Sequence, residues 1–206
     1  MTVSRRVAGA VLVGGASSRF GRDKAWATVD GSALAVRVAD ALDEARASPV
    51  FVVGGTEHEA HRHELAWVAD RWPGSGPLGG IVTALAHTRQ VAPDTEMTAV
   101  LGCDLARPDP GAISRLIEAL DARRSADLAV ARHDDRRQWH LAVWRRSALE
   151  TLSSLFDRGE RAVWRAGEAL EVVEVDGLSA DSCADIDTPA DLPGAGDPTP
   201  VRSPRD

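Results

Sequence analysis

"VAGAVLVGGASSRFGRDK", residues 7–24, passes from a strand former into a loop of different character. Val7, Ala8, Ala10, Val11, Leu12 and Val13 are apolar and small or β-branched, with no polar position to face water. The run predicts a strand over 7–13 buried on both faces. Gly14 and Gly15 end it, and Ser17, Ser18, Arg19, Gly21, Arg22, Asp23 and Lys24 follow. Glycines let backbone N–H groups approach an anion closely and form a concave nest. Arg19 can fork onto phosphate, and Lys24 adds a mobile point charge. A plain glycine turn with solvated charges is the competing reading; cations placed directly after a buried strand favour the anion site. Neither familiar phosphate loop fits. Lys24 is followed by Ala25 and not preceded by glycine, and Gly14-Gly15 then Gly21 does not give G-x-G-x-x-G.

The same alternation continues outward. Apolar runs predict strands at 49–53, 66–70, 97–104, 127–131, 140–144 and 171–175. Helical spacing or composition predicts helices at 33–45, 57–65, 79–88, 110–124, 148–156 and 161–170; the first carries Leu34, Val38, Ala41, Leu42 and Ala45 on one side. Strands too apolar to own a wet face, separated by helices, imply a three-layer α/β/α sandwich around a mainly parallel sheet. Ligands of such sheets bind beyond the carboxyl ends of the strands. The polar loops at Gly14, Asp70 and residues 102–104 all lie there. "PGAGDPTPVRSPRD", residues 193–206, has no apolar periodicity and reads as a disordered tail, leaving one domain over 1–192.

The chain has 206 residues, 44% hydrophobic and 27% charged, which is enough for a single core. A formal net charge of −7 argues against a nucleic-acid partner. No apolar run approaches the ~20 residues needed to span a bilayer. Two cysteines, Cys103 and Cys183, and no apolar leader ahead of Val7 fit a cytoplasmic protein rather than a disulfide-stapled secreted one.

Taken together, these residues carry a resemblance. Leu12, Gly14, Gly15, Ser17, Arg19, Phe20, Gly21, Asp23 and Lys24 match L-x-G-G-x-S-x-R-[MF]-G-x-D-K, a pattern similar to that of the MobA-like nucleotidyltransferases, typified by molybdenum cofactor guanylyltransferase. "DRWPGSGPLGG" (70–80) resembles the family's Asp followed by G-P-L-x-G. "GCDLARPDP" (102–110) resembles its C-D-x-P loop, and "QWHLAVWRR" (138–146) its late strand. "DIDTPADL" (185–192) resembles N-[IV]-N-T-P-x-[DE]-L. The chain departs from these patterns at Ala106, Arg107, Asp185 and Asp187, and it carries Gly54 after "VFVV", where the resemblance implies an asparagine at a base or ribose contact.

The resemblance implies a Rossmann-like nucleotidyltransferase fold. It also implies magnesium-dependent transfer of GMP from GTP to molybdopterin with release of pyrophosphate. Leu12, Val13, Gly14, Gly15, Lys24, Asp70 and Asp104 would then bind the nucleotide, and Lys24, Arg19 and Asp104 would carry the chemistry. Asp104 and Asp187 would hold Mg²⁺. On spacing alone Asp104 reads equally as a turn or cap residue, Asp187 as a helix-start cap, and Asp70 as a loop carboxylate paired to Arg71. Leu12-Val13-Gly14-Gly15 is nearer the guanylyl than the cytidylyl pattern, which favours GTP. Two alternatives stand beside this reading: a cytidylyl- or sugar-phosphate nucleotidyltransferase with another acceptor, and a non-catalytic nucleotide-binding domain.

Two further groups invite functional readings. Arg132, Arg136, Arg137, Gln138 and Trp139 form a cationic stretch that could take an acceptor phosphate, with Trp139 or Trp144 stacking on a pterin; a solvated charge run and core tryptophans are the alternatives. His58, Glu59, His61 and His63 resemble a metal cluster but complete no zinc spacing, and an exposed polar helix is favoured.

Overall fold

A computed structural model describes residues 6–14, 24–186 and 188. Its first strand, β1 (Val7–Leu12), is buried on both sides as its sequence requires. Val7 and Val11 pack into one hydrophobic cluster, Ala8 and Ala10 into another on the opposite face. Beyond Lys24, which opens a 3₁₀ turn (Lys24–Trp26), a small hairpin pairs β2 (Thr28–Val29) with β3 (Ser32–Ala33). Its turn sits on Asp30 and Gly31, at φ 52° and 84°.

The remaining elements alternate. They are α1 (Leu34–Glu44), β4 (Val50–Val53), α2 (Glu57–Arg62), β5 (Trp67–Val68), α3 (Pro77–Val91), β6 (Met97–Gly102) and α4 (Pro110–Ala122). Then come β7 (Leu128–His133), β8 (Arg136–Arg145), α5 (Ala148–Asp157), α6 (Val163–Gly167), β9 (Val172–Val175) and α7 (Ala180–Cys183). Seven strands form one sheet in the order β5-β4-β1-β6-β8-β7-β9. Only β8 runs antiparallel to its neighbours, β6 and β7.

Helices cover both faces. Val38 and Leu42 of α1 join Ile113, Leu116 and Leu120 of α4 on one side. Leu78, Ile81 and Leu85 of α3 join Leu149, Leu152 and Phe156 of α5 and Val163 of α6 on the other. This is the expected three-layer sandwich with a mainly parallel sheet.

The topology places a binding crevice. From β1 the chain adds β4 and β5 on one side, then crosses to lay β6 on the other. Connections therefore leave β1 and its neighbours in opposite directions, the switch point where open α/β sheets take ligands. The register puts Leu12 beside Gly102 and Val53, so three strand ends meet there.

The structure departs from expectation in several elements. The cationic stretch 132–137 is not a loop: β7 and β8 turn tightly through Asp134 and Asp135, at φ 48° and 58°. Helix α3 begins at Pro77 rather than 79, since proline's fixed φ suits the first helical turn. Helix α6 is shorter than the 161–170 segment expected. Residues 193–206 lie outside the described residues.

Candidate functional site

Lys24 and Asp104 are 80 residues apart in sequence, yet Lys24 Nζ donates to Asp104 Oδ2 at 3.3 Å. The Lys24 side chain is 13% exposed and that of Asp104 33%. Buried Ala25 anchors the 3₁₀ turn in the core, and the Ala27 amide closes it on the Lys24 carbonyl at 3.0 Å. Ala27 and Val29 then pack with Leu34 and Ile186 in a small cluster of their own.

Asp104 is held from the other side. The Cys103 amide donates to the Leu12 carbonyl at 3.1 Å, fastening the start of this loop to the end of β1. Gly102 leaves the carboxylate its space: a Cβ there would fall 2.5 Å from Asp104 Oδ1. The chain's late segment lies against the loop. Leu105 and Asp185 form an antiparallel bridge, the Ala106 amide donates to Ala184 O at 2.9 Å, and the Ile186 amide to Asp104 O at 2.8 Å. Arg37 Nη2 donates to Ala106 O at 3.4 Å. Ala106 and Asp185, two of the departures from the family pattern, thus belong to a well-tied corner. Asp187, with Gly15 and Arg19, lies outside the described residues.

A cleft of about 670 Å³ opens over the ends of β1 and β4. Lys24 and Asp104 are not among its lining residues, and the Cys103–Leu12 bond ties the Asp104 loop to the strand end that does line it. Its lining includes Leu12, Val13, Gly14 and Asp70, four of the residues expected to bind nucleotide. The size suits a small-molecule ligand. Gly76 and Pro77, at the N-terminal end of α3, also line it, so the positive end of that helix dipole faces the cleft.

Asp70 does not pair with Arg71 as one reading of its sequence allowed. Its Oδ1 instead accepts from the Trp72 amide at 3.1 Å and from buried Thr83 Oγ1 at 3.2 Å. Among the described residues, all its hydrogen bonds run to that one oxygen.

Gly54, where the resemblance placed a base or ribose contact, also lines the cleft, whereas sequence reasoning passed over Trp67, Gly55 and Gly74 as lining residues. The glycine- and proline-rich 73–80 loop was the available signal for part of this wall. Gly54 is required by geometry: it holds φ +89°, and a Cβ there would collide with the Val13 carbonyl.

Other groups fall away from the site. Trp144 is fully buried and cannot stack on a ligand. Arg132 pairs with Asp135, Glu174 and Asp176, and Arg137 Nε with Glu174 at 2.7 Å, so the β7–β8 cations are largely neutralised by the strand beside them. His61 lies 4.0 Å from Glu57, and His63 stacks on Trp26. Both cysteines are buried and reduced, and burial pushes the Cys183 thiol up from its ordinary value.

The donors suit a hard divalent ion of one kind. Magnesium takes one or two carboxylates and completes its shell with water and substrate phosphate. Among the described residues no group of three or more His, Cys, Asp or Glu could hold a metal alone. Asp104, just past the end of β6, is a carboxylate of the kind that a phosphate-borne ion takes. No described helix is long and apolar enough to cross a membrane.

Known proteins resemble this chain over most of its length. The model of the MobA-like NTP transferase domain matches residues 9–172. A probable molybdenum cofactor guanylyltransferase of Opitutus terrae is 36% identical over 164 residues, covering 80% of this chain and 79% of that protein. One from Chloroflexus aggregans is 32% identical over 203 residues, covering 93% and 94%. The crystal structure of molybdopterin-guanine dinucleotide biosynthesis protein A from Archaeoglobus fulgidus superposes with a TM-score of 0.71 at 26% identity, covering 89% of this chain and 94% of that one.

Proposed function

We propose, from the premise that this chain belongs to the MobA-like NTP transferase domain family and is a nucleotidyltransferase, that it transfers GMP from GTP to molybdopterin. An oxygen of the acceptor's phosphate attacks the α-phosphorus of GTP. A new P–O bond forms, the bond from the α-phosphorus to the bridging oxygen breaks, and pyrophosphate leaves. Such a transfer asks for alignment and charge neutralisation more than for a covalent nucleophile.

The observation that supports this reading most is that the cleft and the Lys24–Asp104 pair share the end of β1: Leu12 lines the cleft, and its carbonyl accepts from the Cys103 amide that starts the Asp104 loop. The nucleoside would lie in the cleft against the Leu12–Val13–Gly14 backbone and Asp70. Lys24 would exchange its carboxylate partner for triphosphate oxygens and offset the charge that builds as pyrophosphate departs. Arg19, which lies outside the described residues, would add a second cation. Asp104 and Asp187 would hold Mg²⁺, which when bound supplies positive charge to the phosphates. The N-terminal end of α3 adds a fixed partial positive charge to the cleft.

The discriminating experiment incubates the protein and Mg²⁺ with each nucleoside triphosphate and with molybdopterin or other phosphorylated acceptors, and follows pyrophosphate release. The proposal expects release with GTP and molybdopterin. Release only with CTP or a sugar phosphate would reassign the substrates. GTP binding without turnover on any acceptor would make the domain a non-catalytic binder.

A further inference from the structure

Trp67 has no part in the chemistry above, yet it lines the cleft. On β5 it pairs with Val52 of β4, and its ring packs partly buried against the α1–α4 core. Its Nε1 donates to the Gly54 carbonyl at 2.9 Å. That carbonyl belongs to the 54–55 peptide of a turn in which Gly54 and Gly55 follow one another at φ 89° and 61°, conformations that favour glycine.

The turn sits where the two walls of the cleft meet. The Val13 amide donates to Val53 O at 2.8 Å, and the Gly54 amide to Val68 O at 3.0 Å. A Cβ on Gly54 would strike the Val13 carbonyl, and one on Gly14 would come 3.9 Å from the Gly55 nitrogen. Here the backbones of 13–14 and 54–55 face each other closely. A ligand edge entering at this point meets peptide dipoles rather than long side chains. Which donor and acceptor pattern is accepted then depends on how those peptides are turned.

We propose that Trp67 is a specificity-determining positioning residue, whose indole N–H fixes the Gly54 carbonyl and so orients the 54–55 peptide wall toward the guanine edge of a nucleoside triphosphate. The proposal rests on the reading of the cleft as the GTP site. It assigns Trp67 to binding and base choice, not to the transfer step.

Trp67→Phe keeps an aromatic ring but removes the donor together with part of the indole's packing volume, so its unfolding midpoint is measured alongside. Wild type and variant are titrated calorimetrically with GTP and with ATP in Mg²⁺, and their steady-state kinetics are compared. The Kd and KM for GTP should rise about five- to tenfold, the scale of one lost hydrogen bond. The value of kcat at saturating GTP should stay within about twofold, and the preference for GTP over ATP should shrink. Unchanged affinity and preference would overturn the proposal, as would a parallel fall in activity toward both nucleotides with no change in KM. A wild type that binds neither nucleotide would instead overturn the underlying reading of the cleft. Wild-type protein gives a second readout that does not depend on the variant folding. The Trp67 indole proton, followed by NMR, should shift on adding GTP and less on adding ATP; an indole signal indifferent to both would refute the assignment.

Discussion

Replacing Lys24 with alanine removes the cation held against Asp104. At the observed 3.3 Å, unit charges attract by about 5 kcal/mol in an effective dielectric of about 20. A phosphate oxygen taken up at the same distance would gain a similar amount. Partial exposure of both side chains, 13% and 33%, admits water and lowers this. The remainder falls near the roughly 2.7–4 kcal/mol lost when one electrostatic group is deleted from a transfer site, or about 10²–10³ in kcat. The assay is pyrophosphate release at saturating GTP and acceptor, with Lys24→Arg as a control that keeps the charge. Thermal unfolding of the alanine variant should barely move, because a part-exposed pair contributes at most about 1 kcal/mol to stability. Turnover within about threefold of wild type would remove Lys24 from the mechanism.

Asp104→Asn should likewise lower turnover by about two orders of magnitude or more while leaving the unfolding midpoint close to wild type, checked by kinetics and calorimetry side by side. Gly54→Ala should destabilise the fold by about 2 kcal/mol or more in denaturant unfolding, since it forces a side chain into positive φ and against the Val13 carbonyl. His87 gives a pH dependence unrelated to the site. Burial first, and the Arg71 charge second, hold its pKa below the ordinary 6.5. The unfolded chain therefore binds that proton more readily. The stability contributed by a neutral His87 is full above pH 6.5 and is lost as pH falls through the lowered value. Unfolding midpoints should drop between pH 7.5 and 5.5, and His87→Gln should flatten that drop; an identical slope in the variant would refute it.

Much of this architecture was legible because the central strands carry their burial in composition. β1, β4 and β6 contain almost nothing but apolar residues and glycine, so their existence and nearly their ends follow from the sequence. β8 was harder. Its first half, Arg136 to His140, is polar and only partly buried, so it lacks the apolar signature; only the half that pairs with β6 reads as a strand. The charges around Arg132 and Arg137 looked like a solvent loop because their partners, Glu174 and Asp176, are about forty residues away along the chain. The Asp30–Gly31 turn did carry a hairpin signal, but two-residue strands are too short for alternation to register.

The candidate site divides in the same way. Residues borne by a local motif, such as Leu12, Val13, Gly14 and Lys24, could be picked out by pattern. The cleft wall added by Trp67 could not, since it depends on β5 lying beside β4 and β4 beside β1. Asp70 was singled out, but its bond to Thr83 is a contact between a strand end and a helix interior that spacing does not encode.

The most direct test is a crystal structure of the protein soaked with GTP and magnesium. The account predicts the guanosine in the cleft against residues 12–14, Lys24 Nζ moved onto a phosphate oxygen, and Asp104 in the ion's coordination shell. A triphosphate bound elsewhere on the molecule, with Lys24 still on Asp104, would contradict it.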